Sequence, residues 1–483
     1  MNMGLAKRMF LESWMSLAML LCLSLTPVVR QCQADGSYGQ LDHAVGINYG
    51  TLGDNLPSPT AAVAAIKAMQ AGRVKLFNPN AGILTALANS GMEVVVTVPN
   101  EEIVAVGASP AAGDSWIQQN IAPYYPATNI VVILVGNEIF TGTAFQSTWA
   151  SLVPAVQNLQ ASLVTRGWSG QIKVSTAVAL DVLATSFPPS TGTFRADIAT
   201  TVMQPLLSFL TTTSSYLFVN VYPFLTYTTN TDISLAYAMF ASTATTDVVD
   251  GGLVYTNLMD AQLDAVNAAA ARLGFAGLRL SVGETGWPSA GDANQPGATI
   301  DNAATYNRRL VSKIMSTSQV GTPAKPGVVI PTYIFALFNE NQKPGAASER
   351  NWGLLYPNLS PVYAIDLTGK TAASEYSPTV ESPILATPPL SAGSGTWCVS
   401  NAAADPTTLE NALNFACGVN AEFCAAIQSG QSCYVPNTVA GHASWALNNY
   451  WQNYKGAGGS CSFDGAGVLT STDPSFGACV FPH

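Results

Sequence analysis

Two glutamates end apolar segments that have the composition of buried strands. Glu138 closes the run 129–139, and Glu284 lies in the run 278–288. A carboxylate at the edge of a buried strand costs free energy unless it is paired or used in chemistry. Two such groups about 5 Å apart form the pair of a retaining glycosidase, in which one protonates the leaving oxygen and the other attacks the anomeric carbon. The alternative for either glutamate alone is an ion pair with an Arg or Lys of a neighbouring helix.

Other side chains at the ends of apolar segments are suited to bind a sugar. Asn137 precedes the first glutamate and is expected to donate a hydrogen bond to a sugar hydroxyl. Aromatic rings offer flat faces on which pyranose rings stack. The candidates are Tyr49, Tyr222, Phe224, Trp287 and Phe338. The alternative is that these rings fill the top of the core.

Three charged residues follow the last apolar segment within ten positions. Glu340, Lys343 and Glu349 are expected to form a charge network that orients the nucleophile or binds substrate hydroxyls. For Lys343 and Glu349 the alternative is that they are solvated loop charges.

Eight short β-rich runs alternate with Ala-rich amphipathic segments between about residues 43 and 370. The runs are 44–50, 73–78, 93–100, 129–139, 173–180, 216–224, 278–288 and 332–341. This alternation predicts a parallel sheet covered by helices. Eight units favour an α/β fold closed as a (β/α)8 TIM barrel over an open doubly wound sheet, and neither a dinucleotide fingerprint nor a P-loop follows a strand. Strand carboxyl ends in such a barrel meet at the active site.

The N-terminal segment has the organisation of a secretory signal peptide. Lys7 and Arg8 precede the apolar run 14–25, and Ala34 marks a small-residue cleavage point. The alternative is a membrane anchor, which needs about 18 apolar residues, and Pro27 interrupts the run. We therefore expect residues 1–34 to be removed and the protein to be extracellular, without an integral membrane anchor.

Cysteine positions divide the chain. Two of the eight cysteines fall within residues 1–34, and the other six lie beyond Trp397. The six are Cys398, Cys417, Cys424, Cys433, Cys461 and Cys479. They predict a disulfide-rich domain over 396–483, and a zinc site is the weaker alternative because paired CxxC spacing is missing. Residues 371–395, rich in Ser, Thr and Pro, predict a mobile linker after the catalytic domain 43–370.

The net charge and the small number of histidines argue against nucleic-acid binding and against histidine-based catalysis. The formal charge of −10 is the wrong sign for tracking phosphates, so nucleic acid is not expected as a partner. The three histidines, His43, His442 and His483, are far apart in the chain and give little material for zinc sites or Ser–His–Asp triads. Catalysis by carboxylates, with no metal and no organic cofactor, is the expectation.

The segment LSVGETGWPS (280–289) resembles the signature of glycoside hydrolase family 17, the plant β-1,3-glucanases. GINYG, VGNEI and NVYPFL also match, and the similarity covers roughly 43–370. The resemblance implies a (β/α)8 barrel with retaining chemistry, in which Glu138 is the acid/base and Glu284 is the nucleophile. It assigns supporting roles to Tyr49, Asn137, Glu340, Lys343 and Glu349. The chain departs at KLFNPN, where many members read RLYDPN, so that Phe77 and Asn78 replace a hydroxyl and a carboxylate.

The tail resembles carbohydrate-binding module family 43, a β-1,3-glucan-binding domain. The resemblance implies the bridges Cys398–Cys461, Cys417–Cys424 and Cys433–Cys479, although spacing alone permits fifteen connectivities. Aromatic candidates for ring stacking, half of which a small domain needs in its core, are Tyr434, Trp445, Tyr450, Trp451 and Tyr454.

Together these features predict a monomeric, secreted endo-β-1,3-glucan hydrolase of the plant apoplast or cell wall. Transfer to a sugar acceptor by a β-1,3-glucanosyltransferase, a non-catalytic β-glucan-binding wall protein and activity on mixed-linkage glucan remain open.

Overall fold

The computed structural model describes two compact units, Met1–Thr379 and Val380–His483. The described residues are 44–242, 244–316, 320–371, 375–376, 396–401, 404–434, 437–455, 460–471, 473–475 and 479–483. The expected signal peptide 1–34 and nearly all of the expected linker 371–395 lie outside them.

Eight parallel strands close into a barrel, which confirms the expected fold. The strands are β1 Val45–Tyr49, β2 Arg73–Leu76, β3 Glu93–Val98, β4 Ile130–Asn137, β5 Lys173–Ala179, β6 Tyr216–Asn220, β7 Arg279–Thr285 and β8 Thr332–Ile334. Each pairs with its sequence neighbour, and β8 closes the ring on β1 with Val45 opposite Thr332. The strands are buried along almost their whole length because helices cover the sheet, which explains their near-continuous apolar sequences.

Helices connect the strands and cover the barrel. They span Pro59–Ala68, Ala81–Ala86, Ile103–Gly107, Pro110–Asn120, Trp149–Thr165, Ala196–Ile198, Gln204–Thr212, Pro223–Thr229, Leu235–Ala238, Leu258–Arg272 and Ile300–Met315. Local sequence sets where several begin. Ser58 and Asn257 accept backbone N–H groups as N-caps of the helices that follow them, and Pro59 fits the first helical position.

Among the described residues of the first unit, three short β-hairpins lie outside the barrel sheet. They pair Leu183–Thr185 with Thr193–Phe194, Val248–Asp250 with Leu253–Tyr255, and Gly321–Thr322 with Lys325–Pro326.

The last strand is shorter than the run 332–341 suggested. After Ile334 the backbone pairs with a later segment: Ala336 N–H donates to Trp352 O at 2.9 Å, and Leu354 N–H donates to Ala336 O at 2.8 Å. Phe335 N–H still donates to Thr285 O of β7 at 2.7 Å and Leu337 N–H to Asn48 O of β1 at 2.9 Å, so the segment beyond the strand bonds both to the barrel and to a returning loop.

The second unit is small and crosslinked. Strands β9 Trp397–Ser400 and β10 Gly467–Thr470 pair antiparallel, and two helices, Pro406–Val419 and Val439–Tyr454, pack on each other. The disulfides are Cys398–Cys461, Cys417–Cys424 and Cys433–Cys479, the same pairs that the family resemblance implies.

Across the described residues, no helix is long and apolar enough to cross a membrane.

Candidate active site

The two glutamates occupy irregular backbone at the carboxyl ends of their strands. Glu138 follows β4 with a φ of 53°, in the left-handed region that non-glycine residues rarely adopt. Its N–H donates to Ala177 O of β5 at 2.9 Å. Glu284 lies in β7 just after a shift in register against β6, between Val282 and Glu284. Such irregularities re-aim side chains and concentrate at functional sites.

Both carboxylates line one cavity of about 460 Å³. Asn137, Asn220 and Tyr222 line it as well, so residues from β4, from β6 and from the loop after β6 converge there. The structure thus brings together two acids from strands that are three positions apart around the barrel, as the sequence suggested.

Glu284 is held by a cation and a phenol. Lys75 Nζ lies 2.7 Å from Glu284 Oε1, and the Tyr222 hydroxyl donates to Oε2 at 2.8 Å. Burial, followed by the charge of Glu284, raises the pKa of Tyr222 well above its ordinary value, so the hydroxyl stays protonated and keeps donating. The Lys75 ammonium and the Tyr222 hydroxyl thus hold both oxygens of the Glu284 carboxyl group in place.

Glu138 has a different environment. Asn220 Nδ2 donates to Glu138 Oε1 at 2.8 Å. Burial, and then the charge of Glu284, raises the pKa of Glu138 from 4.5 to about 7, against the smaller opposing effect of the Asn220 bond. The raised pKa of Glu138 suits a general acid, which must carry its proton before the glycosidic bond breaks.

Asn137 is fixed at the centre of the site. The side chain of Asn100 accepts from Asn137 N–H at 2.7 Å and donates to Asn137 O at 2.9 Å. Asn137 Oδ1 lies 3.4 Å from both Lys75 Nζ and Asn220 Nδ2. These contacts hold the Asn137 backbone on both sides, and the residue lines the cavity beside Lys75 and Asn220.

A second cavity of about 490 Å³ adjoins the first. The two share Phe77, Asn137 and Lys343 in their walls, so they form one cleft across the barrel mouth. Phe77 and Asn78, the positions of the family departure, both line the second cavity.

The charged residues after β8 also reach this cleft. Glu340 Oε1 accepts from Leu52 N–H at 2.7 Å, and Lys343 Nζ lies 3.9 Å from Glu340 Oε2 and 4.0 Å from the centre of the Phe335 ring. Burial raises the pKa of Glu340. Glu349 lines the first cavity. The structure thus brings Glu340, Lys343 and Glu349 to the cleft.

Four of the five aromatic stacking predictions need correction. Phe224 and Phe338 are buried in the core and are not among the described residues that line either cavity, and the same holds for Trp287 and Tyr49. Trp287 is 0 % exposed: its Nε1 donates to Gly297 O at 2.7 Å and its ring packs on Phe224 and Tyr306, so the expected stacking surface is wrong. Tyr49 is also buried, with its ring edge-on to Phe338, and it is absent from the described walls of either cavity. These rings stabilise the core beneath the cleft.

Lys75, Asn220 and Trp352 line or support the site and were missed from sequence. Lys75 could have been found from sequence because it is a charged residue within the apolar strand segment RVKL, and a buried charge is costly unless it has a partner or a function. The same strand contains Arg73, which pairs with Glu93 at 2.7 Å and is structural. The place along β2 distinguishes the active-site residue from the structural one, because Lys75 lies nearer the carboxyl end of the strand, where the active site forms.

Among the described residues, no group of three or more His, Cys, Asp and Glu side chains is placed to hold a metal ion.

Comparison with known families and structures agrees with this geometry. The family model for glycosyl hydrolases family 17 matches residues 45–367, and the model for the X8 domain matches residues 396–468. The chain is 43 % identical over 439 residues to the probable glucan endo-1,3-β-glucosidase A6 of Arabidopsis thaliana, covering 91 % of each chain. It is 38 % identical to glucan endo-1,3-β-glucosidase 4 of the same plant, covering 98 % of this chain and 88 % of the relative.

Solved structures show the same barrel. CJP38, a β-1,3-glucanase and allergen of Cryptomeria japonica pollen, is 44 % identical with a TM-score of 0.64, covering 67 % of this chain and 98 % of that chain. A plant β-glucan endohydrolase, from a study of two such enzymes with distinct substrate specificities, is 38 % identical with a TM-score of 0.61, covering 66 % of this chain and 99 % of that chain.

Proposed function

This chain belongs to glycosyl hydrolases family 17, and we propose that it is an endo-β-1,3-glucanase that cuts its polymer with retention of configuration. The observation that carries the proposal is the unequal environment of two carboxyl groups in one cavity. Glu284 faces the Lys75 ammonium, whereas the pKa of Glu138 is raised to about 7.

The first step forms a glycosyl–enzyme. The Glu284 carboxylate attacks C1 of the sugar, the bond from C1 to the glycosidic oxygen breaks, and Glu138 gives its proton to that oxygen. The leaving chain departs as an alcohol. Glu138 is then a carboxylate, and the negative charge of Glu284 has been consumed in the ester, which removes the repulsion that helped to keep Glu138 protonated.

The second step releases the sugar. Glu138 takes a proton from water, the water oxygen attacks C1, and the ester bond to Glu284 breaks. Glu138 is protonated again and Glu284 is again a carboxylate beside Lys75. The proton balance closes on these two residues, with Asn137 positioned to bond a hydroxyl of the reacting sugar.

The shape of the cleft supports internal cutting. The cavities of about 460 and 490 Å³ adjoin at Phe77, Asn137 and Lys343, and Glu138 and Glu284 line only the first of them. A polymer can therefore occupy binding positions beyond the point of cleavage, as an endo-acting enzyme requires. The β-1,3 linkage is the one named for the Arabidopsis relatives.

Secretion and binding to polymer complete the proposal. Three disulfides fit an oxidising compartment and agree with the N-terminal signal pattern. In the second unit the Phe415 ring is 52 % exposed and contacts Tyr450, which in turn contacts Tyr454. These rings offer a surface on which glucan stacks, and a tethered binder raises the local concentration of substrate.

A product profile on laminarin, curdlan and lichenan tests the proposal. We expect short β-1,3-linked oligosaccharides from laminarin and curdlan. Products longer than the substrate would identify a glucanosyltransferase instead. Faster cleavage of lichenan would identify a mixed-linkage enzyme, and retention on curdlan without any reducing-sugar release would identify a non-catalytic wall protein.

A further inference from the structure

The turn at Glu138 has a backbone conformation that needs support from its surroundings. Glu138 has a φ of 53°, and its carbonyl oxygen accepts from Thr141 N–H at 3.0 Å, so a tight turn follows β4 directly. The left-handed region is costly for a glutamate, and such residues persist where the neighbouring structure holds them. The next two side chains, Ile139 and Phe140, are buried. Whatever holds this turn therefore decides where the carboxyl group of the proposed acid lies.

Two side chains from other elements bond to the carbonyl oxygens of this turn. Trp149 is the first residue of the long helix that follows β4, and its Nε1 donates to Ile139 O at 2.8 Å. Arg195 lies in the connection after β5, and its Nη1 donates to Phe140 O at 3.0 Å and to Asp181 O at 3.1 Å. The two residues directly after Glu138 are thus each held by a donor that lies outside the turn.

The two donor residues also contact each other. Arg195 Cζ lies 5.6 Å from the centre of the Trp149 ring, a distance at which a cation and an aromatic ring attract. The Phe140 ring packs on the same tryptophan, with ring centres 5.4 Å apart. Arg195 is itself anchored, because its backbone N–H donates to Val182 O at 2.8 Å and its guanidinium pairs with Asp197 at 3.0 Å. The turn after β4 is therefore tied to the helix that follows it and to the connection after β5.

We propose that Trp149 and Arg195 are positioning residues for the proposed general acid: they hold the turn at Glu138 in its left-handed conformation and so keep its carboxyl group in the first cavity, against Asn220. Neither residue is among the described residues that line either cavity. They act on the carboxyl group through the backbone and not on the sugar. The inference rests on the proposed function, which makes Glu138 the acid.

A carboxyl group that loses its fixed position should titrate differently. Burial is the largest cause of the raised pKa of Glu138, so a side chain that moves and gains water should have a lower pKa. The titratable groups that act on Glu138 or share its cavity are Glu284, Lys75, Asp181, Tyr222, Lys343 and Glu349. Trp149→Phe changes none of these charges. Arg195→Ala removes a cation, which by itself would raise a carboxyl pKa, so the tryptophan variant gives the cleaner pH test.

Steady-state kinetics of Trp149→Phe on laminarin test the inference in the full chain. The change keeps a ring against Phe140 and deletes the donor to Ile139 O. We expect kcat to fall roughly 10-fold, with KM near its wild-type value. The alkaline limb of kcat/KM should move to lower pH. Trp168→Phe is the matched control, because that ring also lies under an arginine, Arg166 at 5.5 Å, just beyond the other end of the same helix.

Arg195→Ala should lower kcat as well. Its matched control is Arg166→Ala, which breaks a comparable surface ion pair with Asp114 at 2.8 Å and should leave kcat near the wild-type value. Equal falls in kcat in the two arginine variants would overturn the inference. A lower kcat in Trp149→Phe with an unmoved alkaline limb would do so too, because it would show a loss of stability and not a displaced acid.

Direct titration of the carboxyl group gives a readout that does not depend on turnover. Carbon-13 NMR of labelled glutamate carboxyl groups follows Glu138, whose resonance is the one missing from Glu138→Gln. Its titration midpoint should be lower in Trp149→Phe than in Trp168→Phe, and equal midpoints would overturn the inference even in an active enzyme. Failure of the proposed function has a different signature: the wild-type chain releases no sugar, while a lowered midpoint in Trp149→Phe would still show that Trp149 positions Glu138.

Discussion

Lys75 Nζ lies 2.7 Å from Glu284 Oε1, and both side chains are almost completely removed from solvent. The cation stands 4.2 Å from the centre of the Phe77 ring, which forms part of the cleft wall. A buried ion pair adds little net stability, because both charges lose their hydration when they are buried. Its location where the substrate binds indicates instead that the pair serves the function of the site. It holds the Glu284 carboxyl group in one position in the cavity wall.

Replacing Lys75 with Met is expected to lower stability and activity together. The change leaves the Glu284 carboxylate buried without its cation, and breaking one side of a buried pair costs about 3–5 kcal/mol. Denaturant titration measures the loss. Lys67→Met, at an exposed helical position, should stay within about 0.5 kcal/mol of wild type. Lys75→Arg should retain much of the stability because it keeps the charge. Equal effects of Lys75→Met and Lys67→Met would contradict the ion-pair assignment.

Removing the Tyr222 hydroxyl should slow turnover. Tyr222→Phe deletes the donor to Glu284 Oε2, and a hydrogen bond to a charged group contributes about 1.5–3 kcal/mol. We expect kcat to fall by roughly 10- to 100-fold. Tyr227→Phe is the matched control, because Tyr227 packs on Trp287 and is not among the described residues that line the cleft. A Tyr222→Phe enzyme with wild-type kcat would show that the hydroxyl does not act on the nucleophile.

The raised pKa of Glu138 sets the alkaline limit of activity. The general acid must carry its proton in the free enzyme, so kcat/KM should fall as pH rises through about 7. Glu138→Gln should remove this limb and reduce activity on unactivated glucan by about 10²- to 10⁴-fold. Initial rates on laminarin between pH 4 and 9 measure both effects. An alkaline limb that persists in Glu138→Gln would assign the titration to another group.

The same shift predicts a pH-dependent stability. A carboxyl group whose folded pKa is raised contributes stability that is complete below its unfolded pKa of 4.5 and is lost as pH rises through about 7. At pH 8 the wild-type chain should therefore have lost on the order of 3 kcal/mol that Glu138→Gln does not lose. Comparing unfolding of the two chains at pH 5 and pH 8 checks this. A constant difference between them at both pH values would contradict it.

Reducing the disulfides should abolish binding to insoluble glucan and leave catalysis by the barrel intact. The three disulfides among the described residues lie in the second unit, and removing native disulfides from small domains typically costs about 2–5 kcal/mol each. Treatment with a thiol reductant should release the protein from insoluble glucan while hydrolysis of soluble laminaripentaose continues. The fraction pelleted with curdlan and the soluble activity are measured on the same sample. Parallel loss of both would show that the barrel depends on the bridges.

The sequence predicted the barrel well because a buried strand can be recognised from a short run of apolar residues, without knowledge of distant parts of the chain. Each of the eight apolar runs contains an observed strand, since strands buried on both faces are mostly apolar. The run 332–341 contains only a short strand because, beyond Ile334, Ala336 bonds to a returning loop while Leu337 N–H still donates to Asn48 O of β1. Composition records that a segment is buried and does not record what buries it.

The site was only partly predictable for the same reason. Glu138 and Glu284 stood out because a carboxylate at the end of an apolar strand is rare. Trp287 was misassigned because a tryptophan beside a catalytic motif can point to the cleft or to the core, and only packing decides. Lys75 was missed because its partner Glu284 is 209 positions away along the chain, a separation that no local pattern reveals.

The most direct test of the account is to trap the covalent intermediate on its residue. A 2-deoxy-2-fluoro-β-laminaribiosyl fluoride slows the second step more than it slows formation of the ester, so the glycosyl–enzyme accumulates. Peptide mass mapping should then find the fluorinated disaccharide on the peptide that contains Glu284, and no label in Glu284→Gln. Label on a different residue, or a lasting absence of label from a chain that turns the reagent over, would contradict the assignment of Glu284 as nucleophile.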